Sequence, residues 1–323
     1  MNRRSFGRIA AGAVLWPAAG RAQGKPELPK VGMLTTSRER SAPVVNVVVD
    51  GLRASGFAPS QVELVLRYTE GDPGNVAPMI AEIIGKKVSV FVAAGPANLR
   101  AAREAATTVP IVAYDFETDP VAAGYAANLA RPGGNVTGVF LDLPAFSGKW
   151  IELLRECVPR LSRVALIWDP SVGPVQVDSL VKIAAELKMT TDLLEVRVRS
   201  DFAGAFAVAK DRGAGAAIVL SSPLMFVNVK DLADLSLRHR LPAITLFAEF
   251  ARAGGLLSYG PSLLGAARQV GFMAGKVLAG STPATMPIER PSKFELILNR
   301  RTAEALDVTI PASVEARADE VIE

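Results

Sequence analysis

The chain has 323 residues, half of them apolar and 21% charged; that length suggests two domains and the composition supplies a sizeable core. Its single cysteine, Cys157, excludes an internal disulfide, and with a single histidine, His239, nucleophilic and metal-assisted catalysis lose their usual residues. The formal charge of +4 is confined to one end: residues 1–22 carry Arg3, Arg4, Arg8 and Arg21 and no acid, leaving 32 basic against 32 acidic residues elsewhere. A neutral body without a Lys/Arg-rich run gives no electrostatic reason to expect nucleic acid or an anionic membrane as partner.

In chain order, the first 22 residues read as a removable export signal. A basic start is followed by an apolar run from Ile9 to Ala19, too short to anchor in a bilayer, and by small residues at Gly20 and Ala22. Arg3-Arg4-x-Phe6 resembles a twin-arginine leader, with the general secretion route as the alternative. No later run is long and apolar enough to span a membrane, so the expectation is a soluble periplasmic protein.

Short Val/Ile/Leu-rich runs at 31–35, 62–68, 88–94, 110–114 and 136–140 then read as strands, with amphipathic stretches such as Pro43 to Ser55 and Pro78 to Lys86 between them. Near-continuous apolar strands separated by helices imply a parallel sheet covered on both faces. The pattern repeats near 163–168, 191–198, 215–220, 242–246 and 255–259. Val31 and Val164, Val90 and Ile218, and Pro110 and Pro242 stand at offsets of 133, 128 and 132. Three apolar runs matched in order at nearly one spacing predict two similar lobes with a cleft between them.

After Tyr259 the pattern changes to a helix over roughly 261–279, then a strand pair at 286–289 and 294–298. A late helix and strand that found no new lobe are placed by letting the chain cross between the existing ones, near 141–146, 259–262 and 288–293. The expectation is therefore an α/β fold of two doubly wound parallel-sheet lobes joined by about three hinge crossings. Lobe 1 takes 26–142 plus about 261–288, and lobe 2 about 143–260 plus 289–323.

In open parallel sheets a ligand lies beyond the carboxyl ends of the strands. Those ends carry Thr35, Thr36 and Ser37; Gly95, Pro96, Ala97 and Asn98; Asp115, Phe116, Glu117 and Asp119; Asp169 and Ser171; Ser221 and Ser222; and Phe247, Glu249 and Tyr259. Gly95-Pro96 opens a helix whose free N–H groups suit a carboxylate. The acidic residues suit an ammonium group, and the aromatic residues stand out in a chain only 6% aromatic. Together they describe a pocket for a zwitterion with an apolar or aromatic side chain. Each also has a plainer role: Asp119-Pro120 and Asp169-Pro170 as ordinary helix caps, the hydroxyls as partners of loop backbone, Phe116 and Phe247 as core.

Cys157 shares helical spacing with Phe146, Trp150, Leu153, Leu154 and Leu161 and reads as core. His239 reads as a cation in a last helical turn. No G-x-S-x-G, G-x-x-x-x-G-K-[ST], H-E-x-x-H or cysteine pair is present, so neither cofactor nor metal is expected.

Leu129-Ala130-Arg131-Pro132-Gly133-Gly134-Asn135-Val136-Thr137-Gly138 strongly resembles a segment of the ABC-transporter substrate-binding family related to tryptophan/tyrosine-binding proteins. So do Ser147-Gly148-Lys149, the run from Gly254 to Pro261, and Pro291-Ser292-Lys293-Phe294-Glu295-Leu296-Ile297-Leu298-Asn299. The resemblance implies a type I periplasmic-binding-protein fold whose lobes close on a small molecule, possibly an amino acid, and present it to an inner-membrane ABC permease. It further implies a receptor acting as a monomer. A periplasmic sensor module and a carboxylate-based two-domain enzyme remain as alternatives at this point.

Overall fold

The computed structural model describes residues 27–35, 38–70 and 72–323; the leader, Thr36 and Ser37 lie outside the described residues. The first half alternates strand and helix: β1 (Lys30–Thr35), α1 (Arg38–Ala54), β2 (Glu63–Tyr68), α2 (Val76–Gly85), β3 (Val90–Ala94), α3 (Gly95–Ala105), β4 (Ile111–Asp115) and β5 (Val136–Phe140). All five strands run parallel, in the order β2-β1-β3-β4-β5. Alternation along β1 sends Val31 and Met33 into one core cluster and Leu34 into another, as a sheet covered on both faces requires.

The second half repeats the plan with α4 (Leu143–Cys157), β6 (Arg163–Trp168), α5 (Val175–Glu186), β7 (Thr190–Glu195), α6 (Asp201–Asp211), β8 (Ala216–Val219), α7 (Pro223–Val227), α8 (Val229–Arg238), β9 (Ala243–Thr245), α9 (Ala248–Arg252) and β10 (Leu257–Pro261). Its order, β7-β6-β8-β9-β10, is that of the first sheet. The repeat seen in the sequence is thus a repeat of topology, and the strands expected at 163–168, 215–220 and 242–246 form its centre.

Then come α10 (Leu263–Leu278), β11 (Phe294–Asn299), α11 (Arg300–Ala305), α12 (Ala312–Glu315) and β12 (Glu320–Ile322). Ser262 starts α10 by accepting from Gly265 N at 3.3 Å. The helix packs on α1 in the first half. Backbones approach so closely there that a Cβ built on Gly271 would lie 2.2 Å from Val48 O, and one on Gly51 2.2 Å from Arg268 O. Within sheet 1, a Cβ on Gly138 (φ +142°) would lie 1.9 Å from Ala113 O, so only glycine fits that position.

Two expectations need correction. The pair 286–289 with 294–298 does not form: Glu289 makes a single parallel bridge to Val139 beside β5, whereas β11 runs antiparallel to β10 in the other sheet. Pro287 has no N–H to give a ladder, which limits the earlier segment to that one bridge. Sheet 2 is accordingly not all parallel; β11 breaks the pattern, and β12 continues in parallel beyond it.

The chain crosses between the sheets three times, after Phe140, after Pro261 and between Glu289 and Phe294. These crossings are tied together. Arg290 donates to Phe140 O (3.1 Å) and Leu141 O (2.7 Å), joining the third to the first. Ser262 N donates to Lys293 O at 2.9 Å, joining the second to the third, and Gln269 on α10 donates to Glu289 Oε2 and Arg290 O. No helix among the described residues is long and apolar enough to cross a membrane.

Candidate functional site

The carboxyl ends of the two sheets meet at Glu117, after β4, and Ser221, after β8. The Ser221 hydroxyl donates to Glu117 Oε1, and both residues are buried, at 7% and 1% exposure. Ser221 is itself held by Gln176 of α5: Gln176 Nε2 donates to Ser221 O and Ser221 N donates to Gln176 Oε1, each at 2.9 Å. Gln176 was not foreseen. The available signal was a polar residue on the same helical face as the buried Leu180 and Ala184.

Asp115 ends β4 and folds the loop around itself. Its Oδ1 accepts from Glu117 N (2.9 Å) and Thr118 N (3.1 Å), and its Oδ2 from Thr118 Oγ1 (2.7 Å). Glu117 Oε2 accepts from Phe116 N at 3.3 Å. Burial raises the Asp115 carboxyl against the lowering effect of these donors. Burial, reinforced by the charge of Asp115, pushes Glu117 up to about 8. Tyr114, preceding them on β4, is pushed up to about 12, by burial first and Glu117 second. Burial of two adjacent carboxyls, each raised from its ordinary value, favours one proton shared by the pair over two full charges.

The other expected residues take several roles. Thr35 is buried, its hydroxyl reaching Arg67 O at 3.5 Å. Gly95, at φ +78°, opens α3 with Pro96 behind it and no side-chain cap. Asn98 donates back to Leu34 O at 3.1 Å, fixing this loop to the end of β1, and Ala97 is exposed. Asp169 is buried and caps a 3₁₀ turn through Ser171 N at 2.9 Å. Ser222 caps α7, its hydroxyl accepting from Met225 N.

Asp119 is exposed and spends its carboxylate on Val121 N and Ala122 N. It caps a turn rather than the helix its Asp-Pro pair suggested. Phe116 and Phe247 are both only 4% exposed, and Phe247 packs against Phe226 with ring centroids 5.1 Å apart, so both belong to the core. Glu249 stands in the first turn of α9 with Oε2 buried and unpartnered. Tyr259 stacks on Phe146 (5.2 Å, 11°) and lies 6.0 Å from Phe294, while its carbonyl accepts from Trp150 Nε1 at 2.8 Å. Tyr259 is therefore part of an aromatic stack beside the second crossing.

Among the described residues no cluster of three or more His, Cys, Asp or Glu could hold a metal ion. Two sheets of one topology, joined by three crossings and meeting at their carboxyl ends, define a two-lobed binding protein of the type I periplasmic-binding-protein fold. The sequence profile of the family described as ABC transporter substrate binding protein matches residues 35–322. The chain belongs to that family, and its function is that of a substrate-binding protein.

Three relatives fit this assignment. A tyrosine-binding protein of Clostridioides difficile (strain R20291) is 23% identical over 252 residues, 76% of this chain and 71% of the relative. The structure of an ABC domain in complex with L-Trp from Streptococcus pneumonia superposes with a TM-score of 0.83 at 23% identity, covering 92% of this chain and all of the other. A ligand-free, open structure of a substrate binding protein with adhesive properties from Clostridium difficile gives a TM-score of 0.69 at 20% identity, with 91% and 99% covered.

Proposed function

We propose that this protein is the solute receptor of an ABC-type importer, not an enzyme, and that it captures an aromatic amino acid or related zwitterion between its lobes. The observation that carries the reading is the meeting of strand-end loops from both sheets at Glu117, Ser221 and Gln176. A site built from two lobes joined only by three crossings favours hinge closure around what it binds. The family membership and the tryptophan and tyrosine named for two relatives support the ligand class.

In this reading the negative charge shared by Asp115 and Glu117 faces the ligand's ammonium group, and the uncapped start of α3 at Gly95 faces its carboxylate. The lobes divide near the crossings, with α10 belonging to the first. The leader, with its basic start and short apolar run, supports export to the periplasm, where a monomeric receptor would meet the permease.

Titration calorimetry with L-tryptophan, L-tyrosine and L-phenylalanine tests this reading. Saturable one-to-one binding of at least one is expected, weakened in Asp115→Asn by about 1.5–3 kcal/mol, the range for a hydrogen bond to a charged group. Failure of all three to bind, or conversion of a bound compound into another, contradicts it.

A further inference from the structure

Glu117 and Ser221 follow strands of different sheets, so their hydrogen bond is a direct fastening of one lobe to the other. Its surroundings are unusual for a carboxyl group. Asp115 and Tyr114 approach Glu117 from its own lobe, and Ser221, held in place by Gln176, from the opposite one. Among the described residues no lysine, arginine or histidine forms an ion pair or hydrogen bond with Glu117, whose carboxyl accepts from Phe116 N and the Ser221 hydroxyl. The Ser221 hydroxyl by itself favours the ionised carboxylate, but loss of water and the neighbouring Asp115 charge outweigh it, so the neutral carboxyl, still accepting from Ser221, is the form favoured while the lobes meet.

We infer that Glu117 is a proton-controlled latch: its neutral form fastens the two lobes through Ser221, and its ionisation releases them. The inference rests on the reading of a closing cleft but on no particular ligand. In the closed arrangement the Glu117 carboxyl is pushed up to about 8; with the lobes apart it regains water and falls toward the ordinary range near 4.3, held above it by Asp115, which stays beside it on the same loop. Closure therefore takes up a proton between those two values. It is most favoured at the acid end, weakens up to tenfold per pH unit as pH rises toward about 8, and changes no further above that.

The test is the radius of gyration of the protein, stripped of any retained small molecule, by small-angle scattering from pH 5 to 9.5. The wild-type protein should expand as pH rises through this range. Glu117→Gln, a neutral isostere, should stay compact at every pH, and Ser221→Ala should already be expanded at pH 5. A wild-type radius constant over the range overturns the latch, as does Glu117→Gln expanding in step with wild type. If Glu117→Gln does not fold, Ser221→Ala decides alone: a compact variant that follows the wild-type curve also overturns it. Because no ligand is present in any arm, a failed titration with aromatic amino acids leaves this outcome unaffected.

Discussion

Cys157 closes α4 at 4% exposure, among Trp150, Leu153, Leu154 and Leu161. Burial pushes its thiol up to about 11, so almost no thiolate exists at neutral pH. Cys157→Ser places a hydroxyl in that apolar setting and should cost about 1–3 kcal/mol of stability, read by denaturant unfolding, with ligand affinity unchanged; a loss of affinity at unchanged stability would move Cys157 into the site. Spacing alone made this residue legible as core. Site residues were less legible, because a strand-end position fixes where a residue lies but not which partner takes its side chain. Asp119 and Asp169 have the same Asp-Pro context, and both spend their carboxylates on nearby backbone N–H groups. Gln176, which organises Ser221, sits on a helix that looked like ordinary scaffold.

At the scale of elements, the packing of α1 on α10 depends on glycine at the crossing point. Alanine at Gly271 gains up to about 1 kcal/mol in helix propensity but drives a Cβ to 2.2 Å from Val48 O. Separating two packed backbones costs about 1–3 kcal/mol, so Gly271→Ala should lower the unfolding midpoint. Gly204→Ala, in α6 with nothing within 4 Å of its added carbon, should raise it. A stabilising Gly271→Ala would contradict the close crossing. The buried strands were legible because strands covered on both faces read as continuous apolar runs, as in β3, where four of five residues are buried. The ending was not: α11, α12 and β12 have six, four and three residues, too few for a period to emerge. The apolar letters around Pro287 imitated a strand that proline prevents.

For the whole molecule, duplication, crossings and cleft form one device. Two sheets that share the order of five strands bring their carboxyl ends together, and three crossings pinned by Arg290 and Ser262 keep the lobes attached where the loops at Glu117 and Ser221 meet. The crossings were legible from a helix and strand left over after two complete repeats. The contact between lobes was not, since it joins residues about 100 positions apart through side chains that only the folded chain aligns. A crystal structure of the protein grown with the amino acid it binds most tightly tests the central claim most directly. The account predicts that amino acid enclosed between the lobes, its ammonium group facing the Asp115–Glu117 loop and its other side touching the loop of Ser221 and Ser222. A ligand held by one lobe alone, or seated outside the strand-end cleft, would contradict it.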